Sequence, residues 1–107
     1  MTDDRANLLH VRDAIERIFE YTADGQEAFF AENKTQDAVV RNLEIIGEAV
    51  KNLSRELRDA HTDIPWRQIA GMRDKMIHEY FGVNLQLVFD VVRLELPKLK
   101  DKVDTIL

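Results

Sequence analysis

The sequence predicts a single all-α domain over residues 1–107, and three observations support this prediction. Glycine and proline are rare, with four Gly and two Pro in 107 residues. No stretch sustains the apolar–polar alternation of a half-buried strand. Apolar residues recur instead every three or four positions, as they do on the buried face of an amphipathic helix. A chain of this length buries one modest core, so no second domain is expected.

The first predicted helix covers about residues 4–22. Asp3 and Asp4 stand at its start, where their side chains suit the N-cap and the positive end of the helix dipole. Its apolar stripe consists of Leu8, Val11, Ile15 and Ile18. Gly25 lies in the stretch that should end this helix. Residues 26–31 are then expected to form a further short turn or helix.

The longest predicted helix covers about residues 36–59, with Thr35 as its N-cap and Ser54 inside it. Its apolar positions alternate in steps of four and three, the pattern of a seam in a helical bundle. They are Val39, Leu43, Ile46, Val50, Leu53 and Leu57. A charged line runs beside them through Arg41, Glu44, Glu48, Lys51, Arg55 and Arg58. This line indicates either a solvated face or a face that binds a partner.

A shorter helix is predicted to begin near Trp66, because Pro65 suits a first helical turn whose N–H groups have no helical partner. Gly71 should weaken or break it. A second helical piece is then expected over about residues 72–80. This piece holds an Arg, an Asp, a His and a Tyr within eight residues, namely Arg73, Asp74, His78 and Tyr80.

The final predicted helix follows a turn over residues 81–84, with Asn84 as its N-cap. Its stripe consists of Leu85, Val88, Val92, Leu96, Leu99 and Val103. Pro97 lies inside that stripe. Because its ring removes one backbone hydrogen bond and clashes with the preceding turn, the helix should kink or divide near Leu96.

Composition excludes several functional classes. No apolar run is long enough to cross a bilayer, and the first residues lack the basic start and apolar block of a secretory signal. A cytoplasmic protein without membrane contact is therefore expected. The net charge of −5 would repel a phosphate backbone at long range, so any contact with nucleic acid must be local. A DNA-binding regulator is disfavoured because no predicted helix carries a concentrated basic face.

The sequence offers few residues for catalysis by a nucleophile, a bound metal ion or a phosphate-binding loop. The chain has no cysteine and one serine, Ser54, which leaves almost no candidate for a nucleophile. His10, His61 and His78 lie far apart and lack the spacing of metal ligands. A glycine-rich phosphate loop is also missing. Neither a metal site nor a cofactor is therefore expected.

Arg73 and His78, five positions apart, are suited to cleavage of RNA without a metal. The histidine could remove the proton of the ribose 2′-hydroxyl or protonate the leaving oxygen, while the arginine stabilises charge on the phosphate. Histidine suits both steps because its ordinary pKa is about 6.5. The spacing alone is not specific, since Arg5 also precedes His10 by five positions. From spacing alone, a structural histidine of a helix is the more common interpretation of His78.

The neighbours of this pair add information. Asp74 lies four residues before His78, so it could orient the imidazole or raise its pKa. Arg73 and His78 would lie about 140° apart around an ideal helix. A shared site therefore needs a distorted helix or a second copy of the chain across a two-fold axis. Tyr80 could be a core aromatic, a platform for base stacking, or a hydroxyl open to modification.

Three segments together resemble the HepT-like branch of the HEPN proteins: residues 37–49, Ile64-Pro65-Trp66, and residues 73–83. The resemblance covers nearly the whole chain. It implies an up-and-down bundle of four to five helices that forms a homodimer, with the motif helices at the dimer interface. It also implies a metal-independent endoribonuclease that acts as the toxin of a prokaryotic toxin–antitoxin pair.

The same resemblance assigns roles to residues. Arg73 and His78 would be catalytic, and Asp74 would be the supporting polar residue that follows the arginine. The family partner is a minimal nucleotidyltransferase of the MntA type, which transfers AMP from ATP to the tyrosine of the motif, here Tyr80. Transfer RNA or messenger RNA would be the substrate. The alternative is a catalytically inactive helical module that presents Tyr80 to the nucleotidyltransferase or binds a nucleotide.

Overall fold

The computed structural model describes residues 3–72, 74 and 84–107, and within these residues it confirms the all-α prediction. The chain forms helices joined by short turns, without a strand in the described ranges. The helices are α1 (Asp4–Tyr21), α2 (Gln26–Ala31), α3 (Asn33–Lys51), α4 (Arg55–Ala60), α5 (Trp66–Ala70), α6 (Leu85–Asp90) and α7 (Leu96–Ile106). A π-helical turn, Val91–Glu95, joins α6 to α7. None of the described helices is both long and apolar enough to cross a membrane.

Helix α1 agrees with the predicted helix to within one residue. Asp3 is its N-cap, and its side-chain oxygen accepts a hydrogen bond from the backbone N–H of Ala6 at 3.0 Å. The turn that follows contains Gly25, whose φ of +94° lies in the left-handed region that favours glycine. Gly25 then serves as the N-cap residue of α2, so this short helix is also confirmed.

Helix α3 begins three residues earlier than predicted, at Asn33. Thr35 consequently lies inside the first turn, and its hydroxyl donates to the Glu32 carboxylate at 3.0 Å. The prediction that Thr35 caps this helix was wrong. The N-cap position belongs to Glu32, whose backbone is extended and whose side chain makes no capping bond to the backbone.

Helix α3 also ends earlier than predicted, at Lys51, and a separate helix follows. Ser54 is not inside a long helix but is the N-cap of α4, where its Oγ accepts from the backbone N–H of Leu57 at 3.1 Å. The carboxylate of Asp4 accepts from the Ser54 backbone N–H at 2.8 Å and from its hydroxyl at 2.6 Å. These bonds stabilise the extended backbone of Ser54, which interrupts the helix.

Helices α1 and α3 pack side by side in antiparallel orientation. The start of α1 lies beside the end of α3, where the Asn7 amide donates to the Asn52 carbonyl at 3.5 Å. Farther along the pair, the Arg17 Nε donates to the Asn42 side-chain oxygen at 2.8 Å. This pair contributes most of the largest fully buried side chains. Those side chains are Val11, Ile15, Ile18, Phe29, Val39, Leu43, Ile46, Val50, Val88, Leu96 and Val103.

The C-terminal helices run along the same core. At one end, the rings of Phe89 and Phe29 lie 5.3 Å apart between α6 and α2. At the other end, the Lys102 ammonium lies 3.1 Å from the Asp63 carboxylate, just before α5. The α6–α7 unit therefore extends from α2 to the turn before α5, and one continuous hydrophobic core joins it to the α1–α3 pair.

The predicted cap and the predicted division of the final helix are both confirmed. Asn84 caps α6, since its side-chain oxygen accepts from the Leu87 N–H at 3.1 Å. The helix changes to π geometry just before Pro97, and the Leu96 N–H donates to the Val91 carbonyl five residues earlier. Because Pro97 has no N–H to donate, the wider turn just before it accommodates the missing bond.

Candidate functional site

The predicted catalytic motif begins where α5 ends. Gly71 closes that helix, and its N–H donates to the Arg67 carbonyl at 3.0 Å. The predicted break at Gly71 is therefore confirmed. Met72 follows as a helical residue and is buried in the core. Met72 also lines a groove with Leu87 of α6, so the chain enters the motif anchored against the C-terminal helices.

Of the four predicted site residues, Asp74 alone belongs to the described part of the chain. It is helical and exposed to solvent, which agrees with the helical piece expected over residues 72–80. Arg73, His78 and Tyr80 lie outside the described residues, as does the turn over residues 81–83. The catalytic, orienting and modification roles, and the geometry of the Arg73–His78 pair, therefore stay predictions.

The other two histidines lie elsewhere. His10 is exposed on α1 and lines a cleft with Arg41, Glu44 and Glu48 of α3. His61 ends α4, and its backbone carbonyl accepts from the Trp66 indole N–H at 2.9 Å, so it positions the start of α5. Within the described ranges, no group of three or more His, Cys, Asp or Glu side chains is arranged to hold a metal ion.

Two buried polar residues of α3 have structural roles that sequence reasoning missed. The Asn42 side chain accepts from Arg17 at 2.8 Å and donates to the Ala38 carbonyl at 2.9 Å. The Gln36 amide donates to the carbonyls of Phe29 and Phe30 at 3.0 and 3.2 Å. The sequence contains one signal for these roles: Gln36 and Asn42 each lie next to or near the apolar seam of an amphipathic helix. These bonds connect α1, α2 and α3 in one register.

The charged line predicted along one long helix is divided between two helices. Arg41, Glu48 and Lys51 are exposed on α3, as expected for a solvated face. Arg55 and Arg58 belong instead to α4, beyond the turn at Ser54. This break turns the two arginines away from the α3 line and toward the start of α5.

Arg55 and Arg58 meet Arg67 of α5 at an open cleft of about 610 Å³. Asp59, Pro65 and Trp66 also line this cleft, which we call the arginine cleft. Sequence reasoning did not predict it, because its three cations lie on two helices and are separated by a turn. Their proximity depends on the connection from α4 to α5, where the Trp66 indole N–H donates to the His61 carbonyl at 2.9 Å.

The chain is similar to ribonucleases across most of its length. It matches the family model described as Ribonuclease HepT-like over residues 11–106. It is 47% identical over 93 residues to a probable ribonuclease HepT of Thermococcus cleftensis, covering 86% of this chain and 84% of that protein. No solved structure matches it.

Two further relatives are longer than the matched region. The chain is 48% identical over 102 residues to a γ-glutamylcyclotransferase and putative RNase of Methanocaldococcus jannaschii, covering 94% of this chain and 46% of that protein. It is 57% identical over 70 residues to a putative RNase of Caldanaerobacter subterraneus, covering 65% of this chain and 62% of that protein. The match therefore spans about half of the first relative and less than two thirds of the second.

Proposed function

Because the chain belongs to the HepT-like ribonuclease family, we propose that it is a metal-independent RNA endonuclease and the toxin of a prokaryotic toxin–antitoxin pair. The observation that carries this proposal is the family match over residues 11–106, which includes the whole motif from Arg73 to Tyr80. The names of the relatives, a probable ribonuclease and two putative RNases, support the same activity.

In the proposed reaction His78 transfers protons and Arg73 stabilises the phosphate. Removal of the 2′-hydroxyl proton lets that oxygen attack the adjacent phosphorus, and the bond to the 5′-oxygen breaks as this oxygen is protonated. The Arg73 guanidinium stabilises the charge that builds on the phosphate oxygens. Asp74 supports the site from the same helix, and its exposed position agrees with a motif that faces solvent. DNA lacks the attacking hydroxyl and would stay intact.

A homodimer is part of this proposal. On an ideal helix Arg73 and His78 would lie about 140° apart, so one helix does not direct both side chains to a single phosphate. A second copy related by a two-fold axis would complete each site with a residue from the other protomer. The site would then exist only in the assembled dimer, and dilution below the dimer dissociation constant should abolish cleavage.

A cognate nucleotidyltransferase of the MntA type would neutralise the toxin. The Tyr80 hydroxyl oxygen attacks the α-phosphorus of ATP, the tyrosine loses its proton, and pyrophosphate leaves. The AMP adds a bulky anionic phosphate two residues from His78. It would therefore repel the RNA backbone and obstruct the site at the same time.

Cleavage of a mixed pool of transfer and messenger RNA in the presence of a chelator tests the nuclease. We expect the wild-type protein to cut this RNA and His78→Ala to lose at least about a hundredfold in rate, the usual minimum for a general acid or base. His10→Ala is the matched control, because it removes an exposed histidine of α1 and should leave the rate unchanged. Intact RNA with the wild-type protein, or equal cleavage by His78→Ala, would contradict the proposal.

Intact-mass measurement after co-expression with an adjacent nucleotidyltransferase tests the modification. We expect the mass to increase by one or more AMP units, and the increase to vanish in Tyr80→Phe. Tyr21→Phe is the control, since Tyr21 is exposed on α1 and should not affect the modification. An unchanged mass would exclude the transfer of AMP.

The net charge of −5 favours one alternative, a helical module that presents Tyr80 to the nucleotidyltransferase without cutting RNA. The two experiments distinguish it from the nuclease. For such a module the mass increase at Tyr80 would persist, while the wild-type protein would leave RNA intact and would be harmless when expressed alone.

A further inference from the structure

We propose that the arginine cleft binds the phosphate backbone of the RNA substrate beside the catalytic motif, an inference that rests on the proposed ribonuclease function. A protein with a net charge of −5 gains no long-range attraction for RNA, so it needs cations grouped at one place. The arginine cleft groups three of them, Arg55, Arg58 and Arg67, around one open depression.

The positive charge of this cleft is only partly neutralised by the protein. The Arg58 Nε is buried and has no hydrogen-bond partner among the residues that the structure describes. Within the described residues, the Arg67 side chain forms no hydrogen bond or ion pair, and the residue is exposed. Arg55 lies 3.8 Å from Asp59, the acidic side chain of the cleft, but both side chains are largely exposed, at 90% and 73%. Such a pair is weak in water and can exchange its partner.

The wall of the cleft is held in place by contacts to the core. Trp66 is buried, and its indole N–H donates to the His61 carbonyl at 2.9 Å. Helix α4 is fixed at its start by Ser54, which is bound to Asp4 of α1. The backbones that carry the arginines are therefore positioned before any ligand binds, which lowers the ordering cost of binding.

The chemistry of the cleft fits a phosphate chain. A guanidinium group can donate two parallel hydrogen bonds to a phosphate, and it keeps its charge at any physiological pH. Contacts to phosphates position a nucleic acid without recognising its bases. The arginine cleft would therefore hold RNA of many sequences, while the motif selects the position of the cut.

The cleft is also connected to the motif along the surface. Pro65 and Gln68 line both the arginine cleft and a neighbouring groove, and that groove reaches Gly71 and Met72. Met72 directly precedes Arg73 in the sequence. An RNA strand bound in the arginine cleft would therefore follow one continuous path to Met72, the residue directly before Arg73.

The test uses binding of fluorescent single-stranded RNA to the full chain, measured by anisotropy over a range of salt concentrations. His78→Ala serves as the starting protein, so that the RNA stays uncut. Adding Arg58→Gln and Arg67→Gln should raise Kd about tenfold near physiological salt and should lower the salt slope by about 1.4, as loss of two phosphate contacts predicts. In the active protein the same two substitutions should raise KM more than they lower kcat.

Two further variants distinguish an effect of the cleft from an effect of net charge and from misfolding. Lys34→Gln with Arg93→Gln also removes two cations from exposed positions, but outside the cleft, and should change Kd by less than about twofold. Arg58→Lys with Arg67→Lys keeps the charges and should keep the salt slope. If that lysine variant behaves like the glutamine variant, the loss is structural and the proposal is overturned.

The remaining outcomes are also decisive. An unchanged Kd and salt slope in the glutamine variant would overturn the proposal that the cleft binds RNA, even if the wild-type protein cuts RNA. An equal loss in the Lys34 and Arg93 control would overturn it as well. Intact RNA with the wild-type protein would contradict the nuclease alone, because the binding measurement with His78→Ala does not depend on cleavage.

Discussion

The α1–α3 pair and the α4–α5 segment, residues 55–70, differ in how their side chains are bound. In the pair, the buried Asn42 side chain accepts a hydrogen bond from Arg17 at 2.8 Å and so joins the two helices. In the segment, Arg58 and Arg67 keep donors that no described group accepts. The apolar side chains differ as well, since α4 contributes no fully buried residue and α5 contributes Trp66.

This difference separates a framework from a surface that is available to a ligand. Hydrogen bonds within the α1–α3 pair determine its register. The α4–α5 segment attaches to the core through a few anchors, and Arg55 and Arg67 remain exposed to solvent. Stability should therefore depend mainly on the α1–α3 pair, and the proposed RNA binding mainly on the α4–α5 segment.

The largest expected effect comes from truncating a leucine of the α3 seam. Leu43 is fully buried, so Leu43→Ala should lower the free energy of unfolding by about 3 kcal/mol through lost burial and the cavity left behind. Leu57→Ala in half-buried α4 should cost clearly less, about 1 kcal/mol. Urea unfolding of all variants at one protein concentration measures both values.

Leu94→Ala is the matched control for this pair, because Leu94 is 47% exposed and its truncation should change the free energy of unfolding by less than about 0.5 kcal/mol. If Leu57→Ala lowers the free energy of unfolding as much as Leu43→Ala or more, the expected difference between the two regions is contradicted. Stability would then be shared evenly between the two regions.

The boundary between the two regions gives the second prediction. Ser54 caps α4 and binds Asp4, so Ser54→Ala should lower the free energy of unfolding by about 1 kcal/mol. Thr35→Ala should change it by less than about 0.5 kcal/mol, because Thr35 lies inside the first turn of α3. The same urea measurement compares them, and a larger loss for Thr35→Ala would restore Thr35 as the important cap.

These two residues also show how far the sequence predicts the fold. Helix α1 was predictable because a capping Asp3, a regular apolar stripe and a terminating Gly25 all lie within that stretch. The end of α3 was not, because the apolar spacing continues through the break into α4. What interrupts the helix is a pair of hydrogen bonds from Ser54 to Asp4, fifty residues away in the sequence. Local sequence patterns do not predict a contact between residues so far apart.

The candidate site also has one part that the sequence predicts and one part that it does not. Its motif from Arg73 to Tyr80 was identified from the sequence because its residue types and spacing are contiguous. The arginine cleft was not, since Arg55 and Arg58 continue the charged line of α3 when the chain is considered as one long helix. Only the turn at Ser54 moves them beside Arg67.

The smallest expected effect concerns an ion pair that joins the turn before α5 to α7. A hydrogen bond from Lys102 holds the pKa of the exposed Asp63 carboxyl below its usual range. A carboxyl whose folded pKa is lowered stabilises the fold above its unfolded pKa of about 3.9, and this contribution is lost as pH falls through the folded value. Lys102→Gln should therefore lower the urea midpoint slightly at about pH 7, and the difference from the wild-type protein should disappear as the pH falls through the folded pKa of Asp63.

Lys98→Gln is the control for this measurement, because it removes an exposed cation of the same helix and should preserve the wild-type pH dependence. Added salt should reduce the difference between Lys102→Gln and the wild-type protein, since the two side chains of the pair are 41% and 67% exposed. Lys102 also donates to the Asp63 backbone carbonyl at 3.1 Å, and that bond survives protonation of the carboxyl. If the midpoint difference persists undiminished at low pH, this backbone bond attaches the α4–α5 segment to α7, and the charge pair does not.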